Sequence, residues 1–293
     1  MHIPVLLNEV LELLDIKEKD FVIDGTFGRG GHAKAFTEKI SSDGRILGID
    51  WDENAVASGK SEMNGRKNII LIQGNYSDLP EILEKQHLPK ADKILLDLGF
   101  SSDQLEDSKR GFSFMKDEVL DMRYFPESAR LTAAEIVNRL KENELADIFY
   151  RYGQERFSRK IARKIIEFRK KQRILTTGQL AEIIKSAVPK NYERGRINPA
   201  TRTFQALRIY INEELDNLEN FLKNIPDLVQ KQGRVAIISF HSLEDRLVKN
   251  YFREMEKSKI AKILTKKPII ATEKEILNNA KARSAKLRAI QII

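Results

Sequence analysis

Five short apolar segments, separated by stretches with helical spacing, constrain the fold of this 293-residue chain more than any other feature. They are FVIDG at 21–25, ILGID at 46–50, IILIQG at 69–74, KILLDLG at 93–99 and RVAIISF at 234–240. Short runs that are apolar on both faces are typical of buried parallel strands. Segments 32–40 and 53–63 have the length of crossover helices, so the sequence predicts the βαβ order of a doubly wound, Rossmann-like α/β sheet.

The region between the fourth and fifth predicted strands, 106–200, has no strand pattern and is strongly basic. Segments 132–153, 161–171 and 176–188 have apolar residues at helical spacing, and Thr177 is the expected N-cap of the last helix. Residues 151–202 contain 15 Lys and Arg against 4 Asp and Glu, a net charge of +11, whereas the rest of the chain carries −3. These patterns predict a sheet domain, 1–105 with 203–293, interrupted by an all-helical basic domain, 106–202.

Two further elements are expected after the insertion. Segment 204–222 has the spacing of one long amphipathic helix, and 286–293 alternates weakly, as a closing edge strand would.

Composition excludes several classes of chemistry. The chain has no cysteine, so thiolate nucleophiles, thiolate zinc sites and cysteine-held iron–sulfur clusters are excluded. No histidines have the spacing of metal ligands, and we expect no metal site. No apolar run approaches the ~18 residues of a membrane span, and the N-terminal segment lacks the basic leader of a signal peptide. We therefore expect a cytoplasmic protein with no membrane partner, whose net charge of +8 favours a polyanion.

The first predicted strand runs directly into a glycine-rich turn, GTFGRGGH at 25–32. Glycines allow a ligand to approach the backbone closely. Gly28, Gly30 and Ala33 satisfy the G-x-G-x-x-A fingerprint of nicotinamide enzymes. Asp50 follows the glycines by about 20 residues. A carboxylate at this distance could bind the ribose hydroxyls of a nicotinamide dinucleotide or of S-adenosylmethionine. Asp24, before the turn, could reach the ammonium of S-adenosylmethionine and favours that cofactor.

Other candidate ligand contacts follow the third and fourth predicted strands. Tyr76 in GNYSDL could stack on adenine or be an ordinary loop aromatic. Asp97 and Gln104 in DLGFSSDQL follow the fourth strand, at the edge where such sheets bind ligands. Asp97 could bind the cofactor or act on the substrate, and the spacing leaves both roles open.

Many long segments, in one order, resemble the bacterial small-subunit (16S) ribosomal RNA cytosine-N4 methyltransferases of the MraW or RsmH type. The matching segments are HIPVLLNEV, DGTFGRGGHAKAF, GIDWD, GNYSDL, LLDLGFSSDQL, RGFSFM, LDMR, PATRTFQALRIYINEEL, ISFHSLEDRLVK and ARSAKLR. The resemblance implies an S-adenosylmethionine-dependent enzyme whose helical insertion recognises the substrate. It implies cofactor contacts at Gly30, Gly31, His32, Asp50, Tyr76, Asp97 and Gln104.

The expected reaction is methylation of N4 of a cytidine in the decoding region of 16S rRNA. Methylation at C5 of cytosine normally needs a cysteine nucleophile, whereas an exocyclic amine can attack the methyl group directly. Asp97 is the candidate catalytic residue, and Ser239, His241 or Arg246 could hold the base.

The aromatic residues Phe112, Phe114 and Tyr124 are candidates for stacking on RNA bases. The expected partner is 16S rRNA within the small ribosomal subunit, and the sequence allows a homodimer. Two alternatives stay open from sequence: an NAD-linked oxidoreductase, and a non-catalytic RNA-binding protein with a nucleotide-binding fold.

Overall fold

The computed structural model describes residues 4–63, 65–99, 109–127 and 130–293, and the side chains of all of these except Glu193. The chain forms two compact units. The first, here called the sheet unit, contains Met1–Gly99 and Leu215–Ile293, and the second, the helical unit, contains Phe100–Glu214. Within the described residues, no helix is both long and apolar enough to cross a membrane.

The sheet unit has one seven-stranded sheet in the order β3-β2-β1-β4-β5-β7-β6. The strands are β1 Phe21–Asp24, β2 Arg45–Asp50, β3 Ile69–Gln73, β4 Ala91–Asp97, β5 Val229–Ser239, β6 Ala261–Ile263 and β7 Lys286–Ile292. The first five strands are parallel to one another, which confirms the predicted doubly wound α/β sheet. The predicted strand at 286–293 is present, but β7 is not an edge strand, because it pairs antiparallel with both β5 and β6.

Side chains of the central strands alternate between two apolar cores, one on each face of the sheet. Ile23, Leu47 and Ile94 belong to one core, whereas Val22 and Leu95 belong to the other. Helices cover both faces: α1 Leu7–Leu14, α2 Gly31–Thr37, α3 Glu53–Glu62, α4 Leu79–Lys85, α10 Glu214–Leu228, α11 Ser242–Lys257 and α12 Glu273–Asn278. Strands that are buried on both sides need apolar residues at every position, and this explains the continuous apolar runs in the sequence.

In the described part of the helical unit, five α-helices pack around a separate apolar core. They are α5 Ala133–Arg139, α6 Glu142–Gly153, α7 Ser158–Arg169, α8 Thr177–Ala187 and α9 Thr201–Asn212. The predicted helix over 132–153 is therefore two helices, since the backbone of Leu140 and Lys141 is extended. The N-cap of α8 is Thr176 and not Thr177, because Thr176 Oγ1 accepts from the Gln179 amide while Thr177 Oγ1 donates to the carbonyl of Lys116.

The predicted long helix over 204–222 is also interrupted. Glu213 has φ 50°, in the left-handed region, and separates α9 from α10. Buried side chains of α9, such as Phe204 and Leu207, belong to the core of the helical unit, whereas Leu218 and Phe221 of α10 belong to the sheet unit. Contacts between Cα atoms therefore divide the units at Gly99/Phe100 and at Glu214/Leu215. The sequence predicts the two boundaries at 105/106 and 202/203.

Candidate active site

Three neighbouring strands of the sheet unit end in an aspartate. Asp50 ends β2, Asp24 ends β1 and Asp97 ends β4, and these three strands lie side by side in the order β2-β1-β4. The chain order reverses between β1 and β4, and the carboxyl edge at such a reversal is where open α/β sheets bind ligands. The sequence-predicted residues Asp50 and Asp97 are thus placed on the same edge.

The turn after β1 is held by hydrogen bonds to the end of β2. The amide of Phe27 donates to the carbonyl of Ile49 at 2.8 Å, and the amide of Gly28 donates to Asp50 Oδ2 at 2.7 Å. Asp50 Oδ1 also accepts from the amide of Asp52 at 2.9 Å. The Asp50 carboxylate therefore fixes the glycine turn as well as offering oxygen atoms to a ligand.

Gly30 and Gly31 are required by the protein itself. Gly30 has φ +68°, and a Cβ atom there would lie 2.7 Å from Cζ of Phe27. A Cβ atom on Gly31 would lie 2.7 Å from Cγ of Pro4. A side chain at Gly30 would therefore meet the buried ring of Phe27 first. Gly30 is the N-cap of α2 and Gly31 is its first residue, and cofactor contacts at both stay predictions.

The carboxylates of Asp24 and Asp50 ionise with difficulty. Burial raises the pKa of Asp24 to about 7. The hydrogen bond from the Thr26 amide lowers this pKa, whereas the nearby charges of Asp97 and Asp50 raise it further. Burial also raises the pKa of Asp50 to about 6, opposed by the hydrogen bonds from Asp52 and Gly28. Asp24 is 1% exposed, so in this structure its side chain is covered. A cation bound nearby would stabilise both ionised forms.

His32 lies in α2 between the N-terminal segment and Asp97. Its Nε2 is 3.1 Å from the carbonyl oxygen of Val5, and its Nδ1 is 3.8 Å from Asp97 Oδ2. Burial lowers the pKa of His32, although the charge of Asp97 and the bond to Val5 act in the opposite direction. The structure thus brings His32 and Asp97 together, as a shared site requires.

Thr26 is a structural part of the site that the sequence did not identify. Its Oγ1 accepts from the Asp97 amide at 2.6 Å, which ties the end of β4 to the glycine turn. Thr26 follows Gly25 in the glycine-rich turn. A hydroxyl-bearing residue at that position was the available signal.

Tyr76 lies in a short 3-10 turn, Tyr76–Asp78, directly after β3. Its ring makes an edge contact with Phe221, with 6.0 Å between the ring centroids. Asn75 holds this turn by accepting from the Ser77 amide and donating to Asn217 Oδ1. The side chain of Tyr76 is partly buried, and its stacking on adenine stays a prediction. The other predicted contact, Gln104, lies outside the described residues.

The segment after β5 is occupied by a helix cap. His241 is the N-cap of α11, its Nδ1 accepts from the Glu244 amide at 3.3 Å, and its Nε2 is 3.0 Å from Glu244 Oε1. Ser239 is buried, and its Oγ donates to the carbonyl of Lys286. Arg246 is exposed on α11. These contacts give His241 and Ser239 structural roles.

The aromatic residues proposed for base stacking pack within the helical unit. Phe112 is buried and stacks on Tyr124, with 5.5 Å between the ring centroids. Tyr124 also donates its hydroxyl to Glu214 Oε1 at 2.9 Å. Phe114 makes an edge contact with Phe204 at 5.2 Å. Phe112 and Tyr124 thus use a ring face on each other, and Phe112 is not an open platform for RNA.

The edge formed by these strand ends suits a cationic nucleoside ligand. Three carboxylates surround a turn whose backbone has no side chains at Gly28 and Gly30, and two of them have a pKa raised by burial. S-adenosylmethionine carries positive charge on its sulfonium and ammonium groups, so it would stabilise the ionised carboxylates, whereas a polyphosphate would be repelled. The residues present fit this cofactor.

Sequence comparison gives the same assignment. The profile of the MraW methylase family matches residues 1–293. The ribosomal RNA small subunit methyltransferase H of Rickettsia akari is 45% identical, over 100% of this chain and 98% of its own. The protein of the same name from Syntrophobacter fumaroxidans is 42% identical, over 99% of this chain and 96% of its own.

Two solved structures also align with the chain. They are a putative rRNA-methylase from Clostridium thermocellum, with 13% identity and a TM-score of 0.44, and SMU.1697c from Streptococcus mutans, with 11% identity and a TM-score of 0.47. Each alignment covers 100% of both chains. The family assignment rests instead on the profile and on identities above 40% across the whole length. The chain belongs to the MraW methylase family.

Proposed function

We propose that this protein transfers a methyl group from S-adenosylmethionine to N4 of a cytidine in the decoding region of 16S rRNA. The observation that carries the proposal is the arrangement of Asp24, Asp50 and Asp97 around the glycine turn, in a chain of a methylase family. Relatives across its full length carry the name ribosomal RNA small subunit methyltransferase H. Neither the oxidoreductase nor the non-catalytic alternative is supported by these relatives.

The bound cofactor supplies a methyl group on a positively charged sulfur, which makes the methyl carbon an electrophile. The amine of the cytidine would take up this methyl group and give up one proton. The protein must position the amine, exclude water and receive that proton. The chain has no cysteine, which fits a route without a covalent enzyme intermediate.

Asp97 is our candidate for contact with the amine. It ends β4, and its side chain is 19% exposed. The Thr26 hydroxyl oxygen accepts from its backbone amide, and the Gly99 amide donates to its Oδ1. Its Oδ2 is the oxygen nearer His32. A carboxylate held in this way can accept a hydrogen bond from the amine as its proton becomes acidic. We propose cofactor contacts at Gly30, Gly31, His32, Asp50, Tyr76, Asp97 and Gln104.

We propose that the helical unit captures rRNA through its basic segment 151–202, that the substrate is the small ribosomal subunit, and that the protein works in the cytoplasm. We extend the proposal to a homodimer, which light scattering of the purified protein tests directly. The charge of +11 in 52 residues supports the RNA part of this proposal.

The test of the function is methyl transfer in vitro from radiolabelled S-adenosylmethionine to small subunits, and to naked 16S rRNA, from a strain that lacks this protein. We expect label in one cytidine, with the methyl group on N4 by mass spectrometry of the nucleosides. Asp97→Asn should reduce the rate of transfer even at saturating cofactor, and calorimetry measures separately how much of its effect comes from weaker cofactor binding. Label on carbon, or on another nucleoside, would contradict the proposal.

A further inference from the structure

A basic pocket in the helical unit lies outside the cofactor site. It is lined by Arg156, Asn191, Arg194 and Arg196, and its volume is about 360 Å³. All four of these residues are exposed. Among the described residues, neither Arg194 nor Arg196 forms an ion pair with a carboxylate. Like charges held together in one concavity are unfavourable until an anion binds between them.

The pocket is built on a buried carboxylate. Glu155 is fully buried, its Oε1 accepts from the Phe157 amide at 2.7 Å, and its Oε2 accepts from the Tyr192 hydroxyl at 2.5 Å. The first bond holds the backbone beside Arg156, and the second holds the turn that carries Arg194. One side chain therefore fixes two segments that are distant in sequence against each other.

An aromatic ring positions further positive charge beside the pocket. The guanidinium carbon of Arg156 lies 4.9 Å from the centroid of the Phe157 ring, and Lys160 Nζ lies 5.7 Å from the same centroid. Phe157 in turn contacts Tyr192, with 6.0 Å between the ring centroids. Cations held against an aromatic ring lose less conformational freedom when a ligand binds.

We propose that Arg156, Arg194 and Arg196 form a binding pocket for a phosphodiester group of the RNA substrate. The inference rests on the proposed function, since it names the residues by which the helical unit holds rRNA. Guanidinium groups bind phosphate oxygens through two parallel hydrogen bonds, and Asn191 adds an amide donor. The pocket recognises the backbone and not a base, so it sets the position of the RNA without reading its sequence.

The test compares two variants that each lack two exposed positive charges of the helical unit. The pocket variant is Arg194→Gln with Arg196→Gln, and the control variant is Lys170→Gln with Lys171→Gln. The control charges lie at the other end of α7 from the pocket, since Lys170 follows the last residue of this helix and Arg156 precedes its first turn. The helix is about 18 Å long. Binding of fluorescently labelled 16S rRNA is measured by anisotropy from 50 to 300 mM KCl.

The pocket variant should bind about tenfold or more weakly at 0.1 M salt, and its slope of log K against log salt should fall by about 0.7–0.9 for each phosphate that the variant no longer binds. The control variant should show a clearly smaller drop in affinity. A third variant, Arg194→Lys with Arg196→Lys, keeps both charges and should keep most of the slope while binding more weakly, because an ammonium cannot make the paired hydrogen bonds. Equal drops in affinity in pocket and control variants would overturn the pocket in favour of a diffuse basic surface.

Kinetics separate this inference from the proposed function. In the pocket variant, KM for the RNA substrate should rise, while kcat at saturating RNA and the affinity for S-adenosylmethionine should not change. If wild-type protein labels no rRNA, the proposed function fails, and the binding comparison still decides whether the pocket holds RNA. If wild-type protein labels rRNA and the pocket variant has the wild-type KM and salt slope, the pocket fails alone.

Discussion

At the scale of single residues, Asp50 at the carboxyl edge of the sheet combines a structural role with a proposed role in ligand binding, and one substitution can affect both. Asp50 holds the amides of Gly28 and Asp52, and it is also the expected partner of the ribose hydroxyls. Asp50→Ala would leave both amides without their acceptor. Asp50→Asn keeps one acceptor oxygen and removes the charge, so it isolates the role toward the ligand better.

Asp50→Asn should weaken the binding of S-adenosylmethionine by about 1.5–3 kcal/mol, because hydrogen bonds to a charged acceptor are lost. Calorimetry measures the affinity, and the melting temperature reports any change in the turn. Asp43→Asn is the matched control, since Asp43 is exposed in the turn that precedes β2, away from the carboxyl edge of the sheet. A folded Asp50→Asn protein with wild-type affinity would place the ribose elsewhere.

The raised pKa of Asp24 predicts a pH dependence of stability. The folded protein holds the Asp24 proton up to about pH 7, whereas the unfolded chain loses it near pH 3.8. The stabilisation from the neutral carboxyl is therefore complete below pH 3.8 and is lost as the pH rises through about 7. Asp24→Asn removes this titration and keeps an acceptor for the Thr26 amide.

The free energy of unfolding of Asp24→Asn, relative to wild type, should thus increase by about 2–4 kcal/mol between pH 4 and pH 8. Urea titrations at both pH values measure it. Wild-type and Asp24→Asn curves that stay parallel across this range would show that Asp24 ionises normally in the folded protein.

At the scale of elements, the glycine turn separates two effects of a side chain. Gly28 and Gly30 both have positive φ, so an alanine at either position costs about 1–2 kcal/mol of backbone strain. At Gly28 the nearest atom to a new Cβ is the Thr26 carbonyl oxygen at 3.9 Å, whereas at Gly30 it is the Phe27 ring at 2.7 Å. Gly30→Ala should therefore lower the free energy of unfolding more than Gly28→Ala in urea titrations, and equal decreases would contradict the effect of the ring.

Asn212, near the end of α9, fixes the segment 122–124. Its Nδ2 donates to the carbonyl of Met122 at 2.8 Å, and its Oδ1 accepts from the Tyr124 amide at 2.8 Å. Asn212→Asp keeps the acceptor but removes the donor and buries a charge, which should cost about 2–4 kcal/mol. Hydrogen exchange should show the Tyr124 amide losing protection more than the amides of α7, and uniform loss of protection would indicate global destabilisation only.

The elements also show which features of the sequence carried information. The parallel strands were predictable because strands buried on both faces need continuous apolar runs, and these runs are short and separate. The break at Glu213 was not predictable, because the left-handed backbone conformation is usually signalled by a glycine and here the residue is a glutamate. The positions of Asp50 and Asp97 at the carboxyl edge of the sheet were predictable, because each ends an apolar run. The need for a glycine at position 30 was not, because it depends on how the ring of Phe27 packs. Phe112 could not be recognised as a core residue from an aromatic side chain alone.

At the scale of the whole molecule, positive charge is concentrated in one part of the chain. Residues 151–202 carry +11 and the remainder −3. On α7, the exposed cations Arg163 and Lys164 lie near Glu142 and Glu167, so their charges are partly neutralised. The electrostatic contribution to RNA binding should therefore come from the segment as a whole, with unequal shares.

Neutralising Arg159, Lys160, Arg163, Lys164, Lys170 and Lys171 together should weaken rRNA binding and flatten its salt dependence, by about 0.7–0.9 of slope for each phosphate that is no longer neutralised. Affinity for S-adenosylmethionine should stay at the wild-type value. Filter binding over a range of KCl concentrations and calorimetry measure the two. A folded multiple variant with wild-type RNA affinity and slope would leave this helix surface a structural role only.

The position of β7 has a consequence for biosynthesis. This strand lies inside the sheet, between β5 and β6, yet it follows all other strands in the chain. Until residues 286–292 have left the ribosome, β5 has an unpaired edge, and unpaired strand edges invite association with other chains. The helical unit draws its contacts from one continuous stretch and can form earlier. The helical unit of the nascent protein can thus mature before the sheet unit, and the unfinished sheet is the part that a chaperone would need to protect.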